Sequence, residues 1–146
     1  GGFLKRLKSN FNNDRFSYAG FDLAKSPIEY CERKYAKKGA YFYSSGTPSE
    51  MADYSVMSGT FNYAPDLTVN AWRDYLFTSL NSIWNLTRRS MIFNLMISEE
   101  DKITSQSISY IRKETILNFC HSNFGATYEH FSSKLPREIT FCVSKT

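Results

Sequence analysis

Residues 53–62 read Asp-Tyr-Ser-Val-Met-Ser-Gly-Thr-Phe-Asn, and this stretch, together with residues 63–96, decides the fold class. The pattern over Tyr54–Ser58 predicts a short strand that leads into Gly59. Apolar residues then recur at helical spacing from Thr68 to Leu86, and Ser90–Met96 is a β-rich stretch placed where a buried parallel strand is expected. A strand, a helix and a second parallel strand in this order are typical of an α/β sheet.

The same alternation of strands and helices extends towards both ends of the chain. Ser26-Pro27-Ile28-Glu29 has the cap, the first-turn proline and the acidic residue that open a helix, which Gly39 ends. Further patterns predict the remaining elements: helices over 3–11 and 116–124, strands over 16–21 and 40–44, a polar loop over 98–110, and a closing hairpin of 126–131 with 138–143. We therefore predict an α/β fold with a mostly parallel sheet, an antiparallel C-terminal hairpin and helices on both faces.

The composition is that of an ordinary globular chain with a large share of aromatic residues. Of 146 residues, 42% are hydrophobic and 22% charged, which excludes a disordered chain. The aromatic share of 16% supplies both core volume and flat surfaces for a ligand. The apolar runs are too short for a membrane span and no secretory leader opens the sequence, so we expect a cytoplasmic protein with no membrane partner.

Charged and metal-ligating residues favour neither a nucleic-acid surface nor a metal site. The net charge is +4, and its clusters at Lys5–Lys8 and Arg33–Lys38 fit the solvated faces of helices better than a nucleic-acid surface. Three scattered cysteines fit neither a disulfide framework nor a zinc site and suit a reducing compartment. We therefore expect no metal, and a nucleic-acid-binding module that uses the basic helices is the weakest of the hypotheses.

Three features fall at the carboxyl ends of the expected parallel strands, where an α/β sheet forms its ligand crevice. Gly1-Gly2 opens a helix and leaves the backbone accessible to an anionic ligand. The alternative interpretation is that the two glycines are a simple flexible terminus. Asp22 ends a strand, where it can accept hydrogen bonds from ribose hydroxyls or form an Asx turn. Ser58-Gly59 offers backbone groups, and the neighbouring Phe61 and Tyr63 can wall a pocket or belong to the core.

These stretches, in this order, resemble motifs of the class I, Rossmann-like S-adenosylmethionine-dependent methyltransferases. Gly1–Leu4 is similar to the tail of the glycine-rich first motif, and Ala19–Leu23 to the segment that carries the ribose-binding acidic residue. Asp53–Asn62 resembles the stretch after the fourth strand, Ser90–Asn94 the fifth strand, and Leu135–Thr140 the final hairpin. The likeness runs over essentially the whole chain.

The resemblance implies an enzyme that transfers a methyl group from S-adenosylmethionine to a small-molecule or sugar acceptor. The expected cofactor contacts are Gly1, Gly2, Asp22, Leu23, Ser45, Ser58 and Gly59. The expected acceptor contacts lie near strand ends and are Phe61, Asn62, Tyr63, Asn94 and Tyr110. No catalytic residue is identified, because we assign His121 and His130 structural roles. A degenerate methyltransferase fold that binds or scaffolds without catalysis is the alternative.

One strand of the family fold has no counterpart in this sequence. The first strand, with the start of the first motif, is central in the family sheet, and nothing in residues 1–146 resembles it. We therefore expect residues 1–146 to be a single, N-terminally truncated methyltransferase-like domain that does not adopt the family fold alone. Direct pairing of Phe16–Phe21 with Tyr54–Ser58 would contradict this expectation.

Overall fold

A computed structural model of the chain describes residues 2–11, 16–35 and 39–145. The chain divides into two compact units, Gly1–Pro48 and Ser49–Thr146, and each unit contains its own cluster of buried side chains. The prediction that residues 1–146 form one truncated domain stays a prediction.

The first unit contains a parallel pair of strands joined by a helix. Its elements are α1 (Gly2–Asn10), β1 (Tyr18–Asp22), α2 (Lys25–Tyr35) and β2 (Ala40–Ser44). In the β1–β2 pair, Asp22 lies opposite Ser44, so both strands present their carboxyl ends at the same edge. The helices and strands of this unit enclose one cluster of buried side chains: Leu4, Ile28, Cys31, Ala40 and Phe42.

The elements of the first unit follow the sequence patterns, except at the start of α2. The helix begins at Lys25, so Ser26 and Pro27 lie inside its first turn, where proline is tolerated because the N–H groups have no helical partner. The carboxylate of Asp22 accepts a hydrogen bond from the backbone N–H of Ala24, and this turn leads the chain into the helix earlier. The prediction that Ser26 caps α2 is therefore wrong.

The second unit is built on a six-stranded sheet. Its elements are β3 (Ala52–Met57), α3 (Val69–Asn85), β4 (Thr87–Ser98), β5 (Lys102–Ile103), β6 (Ser109–Arg112), α4 (Lys113–Asn123), β7 (Thr127–Phe131) and β8 (Glu138–Ser144). The strand order is β5-β6-β4-β8-β7, and β3 also pairs with β4. β3 and β6 run parallel to β4, whereas β8 runs antiparallel to both β4 and β7. The predicted α/β class and the closing antiparallel hairpin are confirmed.

β4 organises this sheet because both of its edges are used. One edge pairs with β8 from Ser90 to Met96. The opposite edge pairs with β3 over Thr87–Phe93 and then with β6 at Ile97–Ser98. β3 and β6 therefore follow one another along the same edge of β4, with a short break between them.

α3 and α4 supply the helical part of the second core. Thr68 caps α3, since its hydroxyl oxygen accepts a hydrogen bond of 3.2 Å from the N–H of Ala71. After α4, Gly125 takes a positive φ of 100° and donates its N–H to the carbonyl of Cys120, which ends the helix as predicted. Side chains of α3 and α4 are buried with alternate residues of β4 and β8, among them Trp72, Leu76, Leu80, Ile83, Met91, Phe93, Ile116, Phe141 and Val143.

The stretch expected to be a polar loop, residues 98–110, contains β5 and the start of β6. These strands have two and four residues, too few to show a period-two pattern in the sequence. The first residue of β6, Ser109, is buried, and its hydroxyl donates a hydrogen bond of 2.7 Å to the carbonyl of Phe61. A buried serine interrupts the apolar alternation, so the loop prediction is wrong for this part of the chain.

β1 and β3 are among the strands that have one edge with no strand partner within residues 2–11, 16–35 and 39–145. In these ranges β1 pairs with β2 alone, and β3 pairs with β4 alone. Each open edge carries backbone N–H and C=O groups that a further strand could bind. The expectation that such a strand completes the fold stays a prediction.

Candidate functional site

The carboxyl ends of β1 and β2 bring together three of the expected cofactor contacts, Asp22, Leu23 and Ser45. Asp22 is exposed, and its Oδ1 accepts a hydrogen bond of 2.9 Å from the N–H of Ala24. This is the Asx turn considered for this residue on sequence grounds. Within the described ranges the carboxylate has no other partner, so Oδ2 is open to a ligand.

Leu23 and Ser45 lie beside the turn that comes after β2. Leu23 is 73% exposed, and its Cδ2 would lie 3.1 Å from a Cβ built on Gly46, so the glycine leaves room for this side chain. The hydroxyl of Ser45 donates to the carbonyl of Thr47 over 2.9 Å and accepts from the N–H of Thr47 over 3.3 Å. The hydroxyl of Ser45 therefore donates its hydrogen within its own turn. In this geometry the hydroxyl oxygen can accept a hydrogen bond from a ligand but cannot donate one.

The two glycines at the start of the sequence differ in how far the structure describes them. Gly1 lies outside the described residues. Gly2 is the first residue of α1, and a Cβ built on it would meet nothing within 4 Å. The expected contact of this backbone with a cofactor stays a prediction.

At the carboxyl end of β3, Ser58 and Gly59 form a turn that is bonded to β4. Gly59 has a φ of +71°, a left-handed conformation that glycine adopts without steric cost. Its N–H donates a hydrogen bond of 2.6 Å to Oδ1 of Asn94, and its carbonyl accepts one of 3.3 Å from the N–H of Asn62. Ser58 and Gly59 are both exposed, so their backbone is accessible at this strand end.

Asn62 fills the break between β3 and β6 on the edge of β4. Its Oδ1 accepts a hydrogen bond of 3.3 Å from the N–H of Met96, and its carbonyl accepts one of 3.1 Å from the N–H of Ser109. A side-chain amide thus takes the place of a strand carbonyl where the ladder is interrupted. Asn62, expected at the acceptor, is used to join three segments of the second unit.

The two aromatic residues after Gly59 have different environments. Phe61 is buried, 2% exposed, within the core, which agrees with the core alternative that the sequence left open for this ring; its predicted contact with an acceptor stays a prediction. Its carbonyl accepts hydrogen bonds from Nε1 of Trp72 at 3.0 Å and from Ser109, which fixes this segment against α3 and β6. Tyr63 is 64% exposed and forms a single antiparallel bridge with Ile108, so its ring is accessible to a ligand.

An open depression of about 520 Å³ lies at the carboxyl end of β4, and we call it the β4 depression. Its lining is polar and carries charges of both signs: Ile97, Ser98, Glu99, Glu100, Lys102, Tyr110 and Arg137. The ammonium of Lys102 lies 5.9 Å from the ring centroid of Tyr110. A second depression of about 370 Å³ shares Ile97, Ser98 and Glu99 with it. Tyr110, predicted at the acceptor, therefore lines a concave surface of small-molecule size.

The sequence pattern did not indicate the charged residues of the β4 depression. Glu99, Glu100 and Lys102 stand in the stretch interpreted as one polar loop. Arg137 precedes β8, and its carbonyl accepts a hydrogen bond of 2.8 Å from the N–H of Ile97. The antiparallel β4–β8 register brings Arg137 to this end of β4, so the hairpin prediction contained the signal for this residue.

Asp101 supports the segment that borders the β4 depression. Its Oδ2 lies 3.1 Å from Nη1 of Arg73 on α3, and its Oδ1 accepts a hydrogen bond of 2.8 Å from the N–H of Arg112 at the end of β6. The Asp101 side chain is only 11% exposed. The sequence pattern did not single out this carboxylate, because its two partners are distant in the chain.

His121, His130 and the buried Cys120 lie outside these strand ends. His121 is exposed in the last turn of α4, and His130 is exposed on β7. Burial raises the pKa of the Cys120 thiol to about 12, although a hydrogen bond with Thr127 opposes this in part, so the nucleophilic thiolate is scarce near neutral pH. Within residues 2–11, 16–35 and 39–145 no group of three His, Cys, Asp or Glu could hold a metal, and no helix is long and apolar enough to cross a membrane.

The fold formed by these elements is similar to that of Rossmann-like methyltransferases. The chain is similar to magnesium protoporphyrin IX methyltransferase (ChlM) from Synechocystis PCC 6803 with bound S-adenosylhomocysteine, with a TM-score of 0.63 and 9% identity over 88% of this chain and 63% of that one. It is similar to DhpI in complex with S-adenosylhomocysteine, with a TM-score of 0.58 and 10% identity over 86% and 64% of the two chains. A chain of the Pnkp1/Rnl/Hen1 RNA repair complex gives a TM-score of 0.60 and 14% identity over 98% and 35%.

These likenesses establish the fold and no more, because the identities are low. The chain spans less than two thirds of the length of each of these structures. No protein-family model matches the sequence, and no curated protein matches it.

Proposed function

We propose that this chain takes part in methyl transfer from S-adenosylmethionine to a small-molecule or sugar acceptor. The observation that carries the proposal is the exposed carboxylate of Asp22 at the carboxyl end of β1, in a fold shared with methyltransferases. Two of the similar structures hold S-adenosylhomocysteine, the product that remains after methyl transfer.

The proposed role of Asp22 is to bind the ribose of the cofactor. A carboxylate at the end of a parallel strand accepts hydrogen bonds from ribose hydroxyls in other nucleoside-binding sheets. The Asx turn to Ala24 orients the Asp22 side chain through Oδ1 and leaves Oδ2 without a partner in the described part of the chain. Leu23 and the turn at Ser45 border this carboxylate and are proposed as neighbouring contacts.

The turn at Ser58 and Gly59 is proposed as a second contact for the cofactor. Both residues are exposed at the carboxyl end of β3, and a Cβ built on Gly59 would meet nothing within 4 Å. A ligand can therefore approach this backbone closely. Gly1 and Gly2 are proposed contacts on the resemblance alone.

When bound, S-adenosylmethionine supplies a methyl group on a sulfonium, which leaves as a neutral thioether once the acceptor has taken the methyl. The protein's task is then to hold the acceptor in line and to exclude water, with a base only where the acceptor must lose a proton. No described residue is assigned as that base. The proposed chemistry therefore depends on positioning by the strand ends.

The β4 depression is the proposed acceptor site. Its size suits a small molecule, and Tyr110, Lys102 and Arg137 offer an aromatic ring and hydrogen-bond donors beside Glu99 and Glu100. Hydroxyl-rich molecules such as sugars suit such a lining of donors and acceptors. Tyr63 is proposed as a further acceptor contact because its ring is exposed.

A binding or scaffold domain without catalysis is the second candidate. It is favoured by the single strand partner of β1 within the described residues, since a strand paired on one edge alone would hold Asp22 less firmly.

The two candidates differ in what a methyl-transfer assay shows. A catalytic chain moves radiolabelled methyl from S-adenosylmethionine into one or more members of a panel of sugars and small polar molecules. If the chain binds S-adenosylhomocysteine in calorimetry and labels no panel member, the scaffold candidate is preferred. If it does neither, the proposed function is wrong.

A further inference from the structure

The backbone of Gly59 is bonded on both sides. Its N–H donates to Oδ1 of Asn94 over 2.6 Å, and its carbonyl accepts from the N–H of Asn62 over 3.3 Å. Its φ of +71° lies in the left-handed region, which glycine enters and leaves freely. The hydrogen bond to Asn94 is therefore the contact that ties this conformationally permissive residue to the central strand.

Asn94 is a polar residue in a strand whose alternate side chains are apolar. Its neighbours Phe93 and Leu95 are buried in the core on the opposite face of β4. The oxygen of the Asn94 amide is committed to Gly59, and its nitrogen has no hydrogen-bond partner within residues 2–11, 16–35 and 39–145. Within the described ranges, the side-chain amide of Asn94 therefore makes its hydrogen bond to the backbone of the Gly59 turn.

We propose that Asn94 is a positioning residue that holds the Gly59 turn in its ligand-binding conformation. This inference rests on the proposed function, and it gives Asn94 a different task from the acceptor contact expected from the sequence. Without the bond, Gly59 samples both signs of φ, and the cofactor must order the turn when it binds. The entropy lost in that ordering weakens binding.

The role of Asn94 is tested by three variants and two measurements. Asn94→Ala removes the acceptor of the Gly59 N–H, whereas Asn94→Asp keeps an oxygen in its place. Ser90→Ala is the matched control, because it removes a side-chain hydrogen bond, to Ser144, from the same face of the same strand. The measurements are the amide resonance and hydrogen exchange of Gly59 by NMR, and the affinity for S-adenosylhomocysteine by calorimetry.

The expected result is that Asn94→Ala exposes the Gly59 amide to faster exchange and weakens S-adenosylhomocysteine binding by about tenfold, the worth of one net hydrogen bond. Asn94→Asp and Ser90→Ala should keep both properties close to those of the unmodified chain. Should Asn94→Ala fail to fold, Asn94→Leu provides the second route: it keeps a side chain of similar size, has no acceptor for the Gly59 N–H, and should weaken binding by a similar factor.

Two results would overturn the inference, and they separate it from the proposed function. Unchanged affinity in Asn94→Ala, or in Asn94→Leu where that variant is used, contradicts the positioning role while the proposed function stands. An unmodified chain that binds no S-adenosylhomocysteine contradicts the proposed function and the positioning role together, whatever the Gly59 resonance shows.

Discussion

The indole nitrogen of Trp72 donates a hydrogen bond of 3.0 Å to the backbone carbonyl of Phe61. The same carbonyl accepts a second hydrogen bond, of 2.7 Å, from the hydroxyl of Ser109. All three residues are buried. One backbone atom therefore joins α3, β6 and the loop that carries the Gly59 turn, so the packing of the core fixes where that loop lies.

Trp72→Phe should lower the free energy of unfolding by about 2–3 kcal/mol, since it removes both buried ring volume and the indole hydrogen bond. Trp84→Phe is the matched control on the same helix, because Trp84 is only partly buried and its indole has no hydrogen-bond partner within the described ranges. Urea unfolding of both variants measures the difference. Equal losses of stability would show that the bond to Phe61 contributes little.

Asp101 should be important for stability although it lies in a connecting segment. Asp101→Ala removes the partner of Arg73 and the acceptor for the N–H of Arg112, and we expect a loss of about 1–3 kcal/mol. Asp101→Asn, which keeps an acceptor oxygen, should lose less.

The control for Asp101 is an exposed ion pair in the same unit. Asp53 and Arg88 are 3.5 Å apart with both side chains more than half exposed, so Asp53→Ala should change stability by less than about 0.5 kcal/mol. Thermal and urea unfolding compare the two sites. A loss in Asp53→Ala as large as that in Asp101→Ala would contradict the structural role assigned to Asp101.

Cys120 should be protected from thiol reagents in the native chain. Its thiol is buried with a pKa raised to about 12, whereas Cys142 is half-buried and should react first at pH 8. Because the native pKa lies above the ordinary value of 9.0, the native state holds the proton more tightly, and stability falls as the pH rises from about 9 towards 12. Mass spectrometry of the labelled protein locates the thiol that has reacted. In the separate measurement of stability against pH, Cys120→Ala should reduce the loss of stability at high pH. Labelling of Cys120 before Cys142 would contradict the burial.

Periodicity locates the elements whose stability comes from an apolar face. The pattern predicts α3 over 68–86, where the helix spans Val69–Asn85, and it predicts β2 with its observed bounds, because each buries side chains at the spacing of its own secondary structure. The pattern misses β5 and β6 because they are short and because Ser109 takes a buried position. Hydrophobic periodicity cannot predict that a serine is buried, because the hydrogen bond that satisfies its hydroxyl does not change the pattern of apolar residues.

The candidate site is only partly predictable for the same reason. Position at a strand end selects Asp22 and Gly59, which are exposed in the structure, whereas Tyr110 lies within β6 and lines the β4 depression; the ligand contacts of all three stay predictions. It does not distinguish a ring that faces solvent, Tyr63, from one that enters the core, Phe61. It also does not show that the amides of Asn62 and Asn94 are committed to the backbone, since such contacts depend on how β4 pairs with its neighbours.

The β4 depression should control the choice of acceptor and leave the cofactor site unchanged. In the radiolabel assay, Lys102→Ala and Arg137→Ala should raise the KM of whichever panel member is methylated by about tenfold, the worth of one lost hydrogen bond. Lys134→Ala, an exposed lysine outside the depression, is the control. The affinity for S-adenosylhomocysteine should stay within about twofold in all three variants. A large loss of that affinity would show that the depression is not a separate acceptor site.

The most direct test of the proposed cofactor site is the calorimetric titration of S-adenosylhomocysteine into the chain and into Asp22→Ala, with Glu29→Ala as an exposed carboxylate control on α2. We predict one-to-one binding that Asp22→Ala weakens by about 1.5–3 kcal/mol, or roughly 10- to 100-fold, and that Glu29→Ala leaves unchanged. Equal binding by the chain and by Asp22→Ala, or no binding by either, would contradict the ribose-binding role of Asp22.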